Sequence, residues 1–100
     1  MYRSGRRATG RHVVLFALRR TVPPDHPRAG VTASKKVGSA VRRSRCKRRL
    51  RVLLRSAMGE LGEMRVDLVA NARASCADAA WTDLAADFAR CFEQLKRAVS

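Results

Sequence analysis

The stretch SKKVGSAVRRSRCKRRLRVLLR, Ser34 to Arg55, carries ten lysines and arginines and not one acid. Like charges at helical spacing repel one another, so local stability does not account for the run. The hydrophobic period from Ala40 to Met58 is nevertheless helical. Cys46, Leu50, Leu53 and Ala57 fall at i, i+4, i+7 and i+11, one stripe to face a core. Ser44, Arg48, Arg51 and Arg55 repeat that spacing, turned roughly 160° away at about 100° per residue. Ser39 is placed to cap the helix and Gly59 to end it. The result is an amphipathic helix with a cationic outer face, whose counter-charge must come from outside the chain.

The rest of the chain sharpens that asymmetry. Of 100 residues with a net charge of +14, residues 1–55 hold 17 Lys or Arg against a single acid, Asp25, while residues 56–100 hold 5 against 7. A positive field confined to one half points to a polyanion, most often nucleic acid, with an anionic membrane surface the weaker candidate. Arginine outnumbers lysine 18 to 4, and a planar guanidinium can fork onto phosphate and stack on bases. The composition, 46% hydrophobic and 30% charged, is that of a globular protein, and the length suits a single domain over residues 1–100. Cys46, Cys76 and Cys91 are odd in number and lack C-x-x-C spacing, which argues against a disulfide framework or zinc site and fits a reducing compartment. The longest apolar run, Val13 to Leu18, is too short to span a membrane. A cytoplasmic location is expected.

Around the basic helix the elements alternate. His12 to Arg20 reads as a strand, and Thr21 to Gly30, with all three prolines, as a connection. Val31 to Val37 reads as a second strand, antiparallel to the first, broken by Gly38. Arg65 to Ala72 is a third strand. Asp78 to Val99 is a second helix, with Trp81, Leu84, Ala85, Phe88, Phe92 and Leu95 towards the core. Asp83, Asp87, Arg90, Glu93 and Arg97 form its solvated face. Strand, strand, helix, strand, helix is an α+β sandwich, with helices packed on a small sheet.

Arg42 and Arg43 sit in the first turn of the basic helix, where the macrodipole favours negative charge, at a cost of a few tenths to ~1 kcal/mol each. That placement makes sense if an anion occupies the site. Lys35, Lys36, Arg42 and Arg43 would surround it, and Arg45, Lys47, Arg48, Arg51 and Arg55 could follow a phosphate backbone along three turns. No nucleophile–base arrangement, carboxylate cluster or Gly-rich phosphate loop is visible. The chain reads as a binder. A structural RNA-binding protein, ribosomal or otherwise, and a DNA-binding domain remain alternatives, with a free-standing nuclease the weakest.

At SKKVGSAVRRSRCKRRLR the sequence resembles the signature of the bacterial ribonuclease P protein subunit: Ser-Lys-Lys, an aliphatic residue and Gly, then Ala-Val, a spacer, Arg-Asn-Arg, a spacer and Lys-Arg. The resemblance implies an α+β fold shared with a ribosomal-protein domain, including a left-handed strand–helix–strand crossover. It implies an accessory subunit of an endoribonuclease whose catalyst is an RNA, which uses Mg²⁺ to remove the 5′ leader from precursor tRNA. The partners implied are that RNA and precursor tRNA, with no membrane and no protein partner. Carried over by position, Arg43, Ser44 and Arg45 fill the Arg-Asn-Arg segment, with Lys47, Arg48 and Arg51 beyond it, and Lys35 and Lys36 fill the paired lysines. Tyr2, Phe16, Thr32 and Lys36 match positions lining a leader cleft. No protein metal site is implied. Ser44 departs from the signature Asn, which removes an amide donor, and the family's N-terminal helix, one wall of the cleft, is not expected before Tyr2.

Overall fold

The computed structural model describes residues 5–99, the side chain of Val99 excepted. Four strands form one sheet in the order β1-β2-β4-β3. These are β1 (Gly5–Thr9), β2 (Val13–Arg19), β3 (Arg28–Ala33) and β4 (Val66–Ala72), with α1 (Ala40–Leu61) between β3 and β4 and α2 (Trp81–Val99) at the end. In β2 and β4 side chains alternate between buried and half-buried. The antiparallel register pairs Val13 with Ala72, Leu15 with Ala70 and Ala17 with Leu68, all inside the core. Their neighbours Val14, Phe16, Leu18, Val69 and Asn71 point to the other side. Period-two alternation therefore gives the sheet one covered and one open face. Both helices lie on the covered face, α2 across β1 and β2, α1 across β3 and β4.

Cys46, Leu50, Leu54, Ala57 and Leu61 of α1 meet Leu84, Phe88, Cys91, Phe92 and Leu95 of α2 over that face. Burying a Leu side chain contributes about 1.5–3 kcal/mol. Leu50, at 0% exposure, is the position where truncation to Ala should cost most, about 2–5 kcal/mol. No helix among the described residues is long and apolar enough to cross a membrane.

Several expectations are corrected. Gly5–Thr9, polar and basic in sequence and assigned to no predicted element, is an edge strand antiparallel to β2. Only Ala8 is buried there, so no hydrophobic alternation announces it. The second predicted strand is displaced to Arg28–Ala33 and pairs parallel with β4, not antiparallel with β2. Both edges of β2 are already taken by β1 and β4, and a folded loop carries the chain past them. That loop wraps the buried Arg20, whose guanidinium donates to the carbonyls of Val22 (3.2 Å), Pro24 (3.0 Å) and His26. Arg20 Nε also lies 2.9 Å from Asp67 Oδ1, too poorly aligned for a hydrogen bond, so the contact is an ion pair. Lys35–Val37 is a 3-10 turn rather than the end of a strand, because the Ser34 hydroxyl accepts from Lys36 N.

Helix α1 runs through Gly59 and stops at Gly62, whose φ of 63° is the left-handed conformation glycine tolerates. Leu53 is half-buried and Leu54 takes its place in the core. Ser39 caps as expected, its hydroxyl accepting from Arg42 N at 3.3 Å. Helix α2 begins at Trp81, after a 3-10 turn at Ala74–Ala77. Trp81 is 44% exposed, outside the stripe it was expected to join.

Asp87, assigned by its spacing to the solvated face, is buried at 4% exposure. Its carboxylate accepts from the backbone N–H groups of Arg11 (2.9 Å) and His12 (2.8 Å) and from Arg90 Nη2 (2.5 Å). The tight β1–β2 turn is thereby pinned to α2. A Cβ at Gly10 would run into the Asp87 carboxylate, so any larger residue there would push it off its two N–H donors. Burial pushes the Asp87 carboxyl up, but the two backbone donors and Arg90 outweigh it and hold it below the usual range. A carboxyl depressed in the folded state contributes stability above its unfolded pKa of about 3.9, lost as pH falls through the folded value. Asp87→Ala should therefore lower unfolding stability at neutral pH by about 1–3 kcal/mol, because it leaves two part-buried N–H groups without their acceptor. Urea titrations should show that the variant also loses part of the wild-type acid sensitivity below about pH 4.

Candidate nucleic-acid interface

The cations of α1 divide into two groups. Arg42 donates from Nη1 and Nη2 to both oxygens of Asp78 (2.8 and 2.7 Å) and from Nε to Val37 O (3.0 Å). Arg45 Nε donates to Ala77 O (2.8 Å). Arg49 donates to the carbonyls of Cys76 (2.6 Å), Ala77 (3.2 Å) and Ala79 (2.5 Å), with its guanidinium 5.8 Å from the centre of the Trp81 ring. These three arginines lash the basic helix to the connection between β4 and α2. The bidentate Arg42 partner lowers the Asp78 carboxyl below its ordinary value, and Asp78 in turn raises Arg42.

The second group faces outward. Among the described residues Lys35, Lys36, Ser44, Lys47, Arg48, Arg51 and Arg55 make no internal polar contact through their side chains. Lys35, Lys36, Ser44, Arg48, Arg51 and Arg55 are exposed, and Lys47 is half-buried. Arg43 is also half-buried, and its Nε is enclosed without a hydrogen-bond partner. Arg51 and Arg55 rim a groove of about 420 Å³ between α1 and β3, floored by Gly30, Val31 and Leu54. Of the ten predicted RNA contacts, then, Arg42 and Arg45 are committed inward at least in part. Arg49, which the sequence reading left out of the set, is committed most heavily.

Phe16 and Thr32 lie on the open sheet face. Phe16 is half-buried and paired across the sheet with Arg7 on one side and Val69 on the other. It belongs to the side away from the helices, which removes it from the main core. Thr32 Oγ1 donates to Asn71 Oδ1 at 2.9 Å on the same face. Lys36 follows at the end of β3, in the turn leading to α1. Tyr2 lies outside the described residues. Arg7 and Asn71 join this surface although no motif marked them; the signal was available in the two-residue alternation that puts them in register with Phe16 and Thr32. At the β3 end, Asp67 ion-pairs with Arg28 Nε at 3.1 Å, and that guanidinium and Arg20 hold its carboxyl low.

Cys46, Cys76 and Cys91 are free thiols inside the core. Burial and the adjacent Cys46 push the Cys76 thiol up to about 12, so it stays protonated and acts as an apolar filler beneath the arginine-held turn. Among the described residues no three His, Cys, Asp or Glu side chains come together as a metal site would need.

Comparison with known proteins is consistent with this arrangement. The profile of the family described as Ribonuclease P matches residues 1–96. The ribonuclease P protein component of Kocuria rhizophila is 42% identical over 86% of this chain and 74% of its own length. That of Acidothermus cellulolyticus is 33% identical over 93% of this chain and 77% of its own. The solved RNase P protein of Staphylococcus aureus superposes with a TM-score of 0.77 at 24% identity, covering 92% of this chain and 82% of that one. That of Thermotoga maritima superposes at 0.71 and 21%, covering 93% and 83%.

The two arginine groups should separate in a stability measurement. Arg49→Ala leaves the carbonyls of Cys76 and Ala79 without their side-chain donor, while Ala77 keeps Arg45, and should cost about 1–3 kcal/mol. Arg48→Ala and Arg51→Ala should stay within about 0.5 kcal/mol of the parent protein. Chemical denaturation of the three variants checks the ranking.

Proposed function

The chain belongs to the bacterial ribonuclease P protein family, the protein component of a tRNA-processing endoribonuclease, and on that premise we propose what its surfaces do. It binds the catalytic RNA through the outward cations of α1 and the preceding turn, and it holds the 5′ leader of precursor tRNA on the open sheet face. The carrying observation is the row Lys35, Lys36, Lys47, Arg48, Arg51 and Arg55. These are six cations, two in the turn before α1 and four along it, with no carboxylate partner among the described residues. A charge row kept unneutralised inside the protein is available to phosphates outside it.

Arg43, Ser44 and Arg45 follow the paired lysines at the start of α1, where the helix N-terminus and side-chain donors would meet an RNA phosphate. Arg42 and Arg45 act there mainly by orienting the helix, since each is anchored to the neighbouring loop. Ser44, exposed and unpartnered, can donate one hydroxyl hydrogen bond to a phosphate or a sugar. On the sheet, Phe16 offers an aromatic face and Arg7, Thr32 and Asn71 offer donors around it. With Lys36, they form a surface that grips a single strand by stacking and charge without reading its sequence. Such tolerance suits a protein that meets many different leaders.

In this reading the bond is cut by the RNA, and Mg²⁺ is held by the RNA. The protein's cationic ridge would repel a metal ion, but it lowers the electrostatic cost of folding and docking two RNAs together. Less Mg²⁺ is then needed to screen them. Reconstitution tests this. Adding the chain to a cognate catalytic RNA should lower the Mg²⁺ or substrate concentration needed for leader removal, and no change at limiting Mg²⁺ would sink the proposal. Arg48→Glu or Arg51→Glu should weaken RNA binding while far-UV circular dichroism stays that of the parent. Phe16→Ala should weaken binding of leader-bearing precursor about 5- to 150-fold, the range for loss of one base stack, and leave mature tRNA unaffected.

A further inference from the structure

We propose that Trp81 and Arg49 form a second stacking site, which receives an unpaired base of RNA where α1 meets the start of α2. The inference rests on the reading of the chain as an RNA-binding subunit. It concerns a different surface from the open sheet face, because the helices cover the opposite side of the sheet. Trp81 is the one tryptophan of the chain. It heads a stripe whose next members, Leu84 and Phe88, are 0% and 4% exposed, yet it keeps 44% of its own surface in solvent.

A single exposed aromatic residue is ordinary on a protein surface. Two further features set this one apart. First, the guanidinium over the ring is fixed in advance. Arg49 is held by the carbonyls of Cys76, Ala77 and Ala79, and lies 5.8 Å from the ring centroid. The guanidinium therefore needs no ordering when a third flat group arrives, which lowers the conformational entropy lost on stacking. Second, the surroundings are cationic. Arg45 and Arg48 lie one turn and one residue before Arg49 on α1, and Arg48 has no internal partner among the described residues. The nearby acids are turned elsewhere: Asp78 is clasped by Arg42, and Asp83 lines a separate cleft with Arg11, His12 and Arg90. An apolar ring, a planar cation and an unneutralised arginine together suit a nucleobase with its phosphate.

Because Trp81 is the only tryptophan, its fluorescence reports on this site without labelling the protein. The wild-type chain is titrated with the catalytic RNA of the holoenzyme, and anisotropy of end-labelled RNA records complex formation in parallel. Trp81 emission should be quenched, and its access to acrylamide reduced, at the same RNA concentrations that raise the anisotropy. Trp81→Ala should weaken the complex about 5- to 150-fold, and Trp81→Phe should recover most of that loss. A complex that forms at full strength with Trp81 emission and acrylamide access unchanged overturns the inference while leaving RNA binding intact. Trp81→Ala with wild-type affinity overturns it equally. Absence of any complex with the wild-type chain overturns both the inference and the reading beneath it.

Discussion

Ten like charges along one helix and its preceding turn would push each other apart, and the protein relieves part of that repulsion by turning three guanidiniums onto oxygen. Two unit charges about 4 Å apart near a protein surface interact by roughly 4 kcal/mol, so the placement of each arginine matters to α1. Arg42, Arg45 and Arg49 spend their donors on Asp78 and on the carbonyls from Cys76 to Ala79. These bonds join the helix to the turn that starts α2, so the two helices are coupled through charge as well as through Leu50 and Leu84 in the core. What the clasp leaves over is the half-buried Arg43 and six cations, Lys35, Lys36, Lys47, Arg48, Arg51 and Arg55, which carry the outward charge.

The second organising feature is the one-sided sheet. With β2 in the middle, paired to β1 and β4, and with alternate residues buried, both helices are accommodated on one face. Phe16, Val69, Thr32 and Asn71 are left on the other. The same alternation that builds the core thus creates a shallow, donor-rich surface with an aromatic residue in it. Asp87 holds the β1–β2 turn against α2, which fixes the register that sets Arg7 beside Phe16. A carboxylate on the helix side therefore controls geometry on the open side.

How much of this the sequence disclosed varies with the range of the interaction. The basic helix, its Ser39 cap and the two buried central strands are written in local periodicity, and they were readable. The edge strand Gly5–Thr9 was not, because an edge strand with one buried residue carries no alternation. The parallel pairing of β3 with β4 depends on Arg20 gathering three carbonyls from a proline-rich loop, a contact between a side chain and residues two to six positions on. Spacing put Asp87 and Trp81 on the wrong sides of α2, since periodicity separates faces but cannot foresee that a hairpin turn will present two N–H groups to a carboxylate. The family signature marked the right segment for binding. It could not sort arginines that reach inward from those that reach out, because both kinds share one composition and one helix.

The account stands or falls on which charges meet RNA, and salt dependence counts them. Dissociation constants for the catalytic RNA, taken from about 50 to 200 mM monovalent salt, should rise 10³- to 10⁵-fold if some six to ten phosphates are contacted. Removing Arg48, Arg51 or Arg55 singly should reduce the logarithmic slope by about one each. Removing Arg97, on the solvated face of α2, should leave it unchanged. An affinity that barely responds to salt, or slopes that respond to Arg97 as much as to Arg51, would contradict the assignment of the outer face of α1 as the RNA-binding ridge.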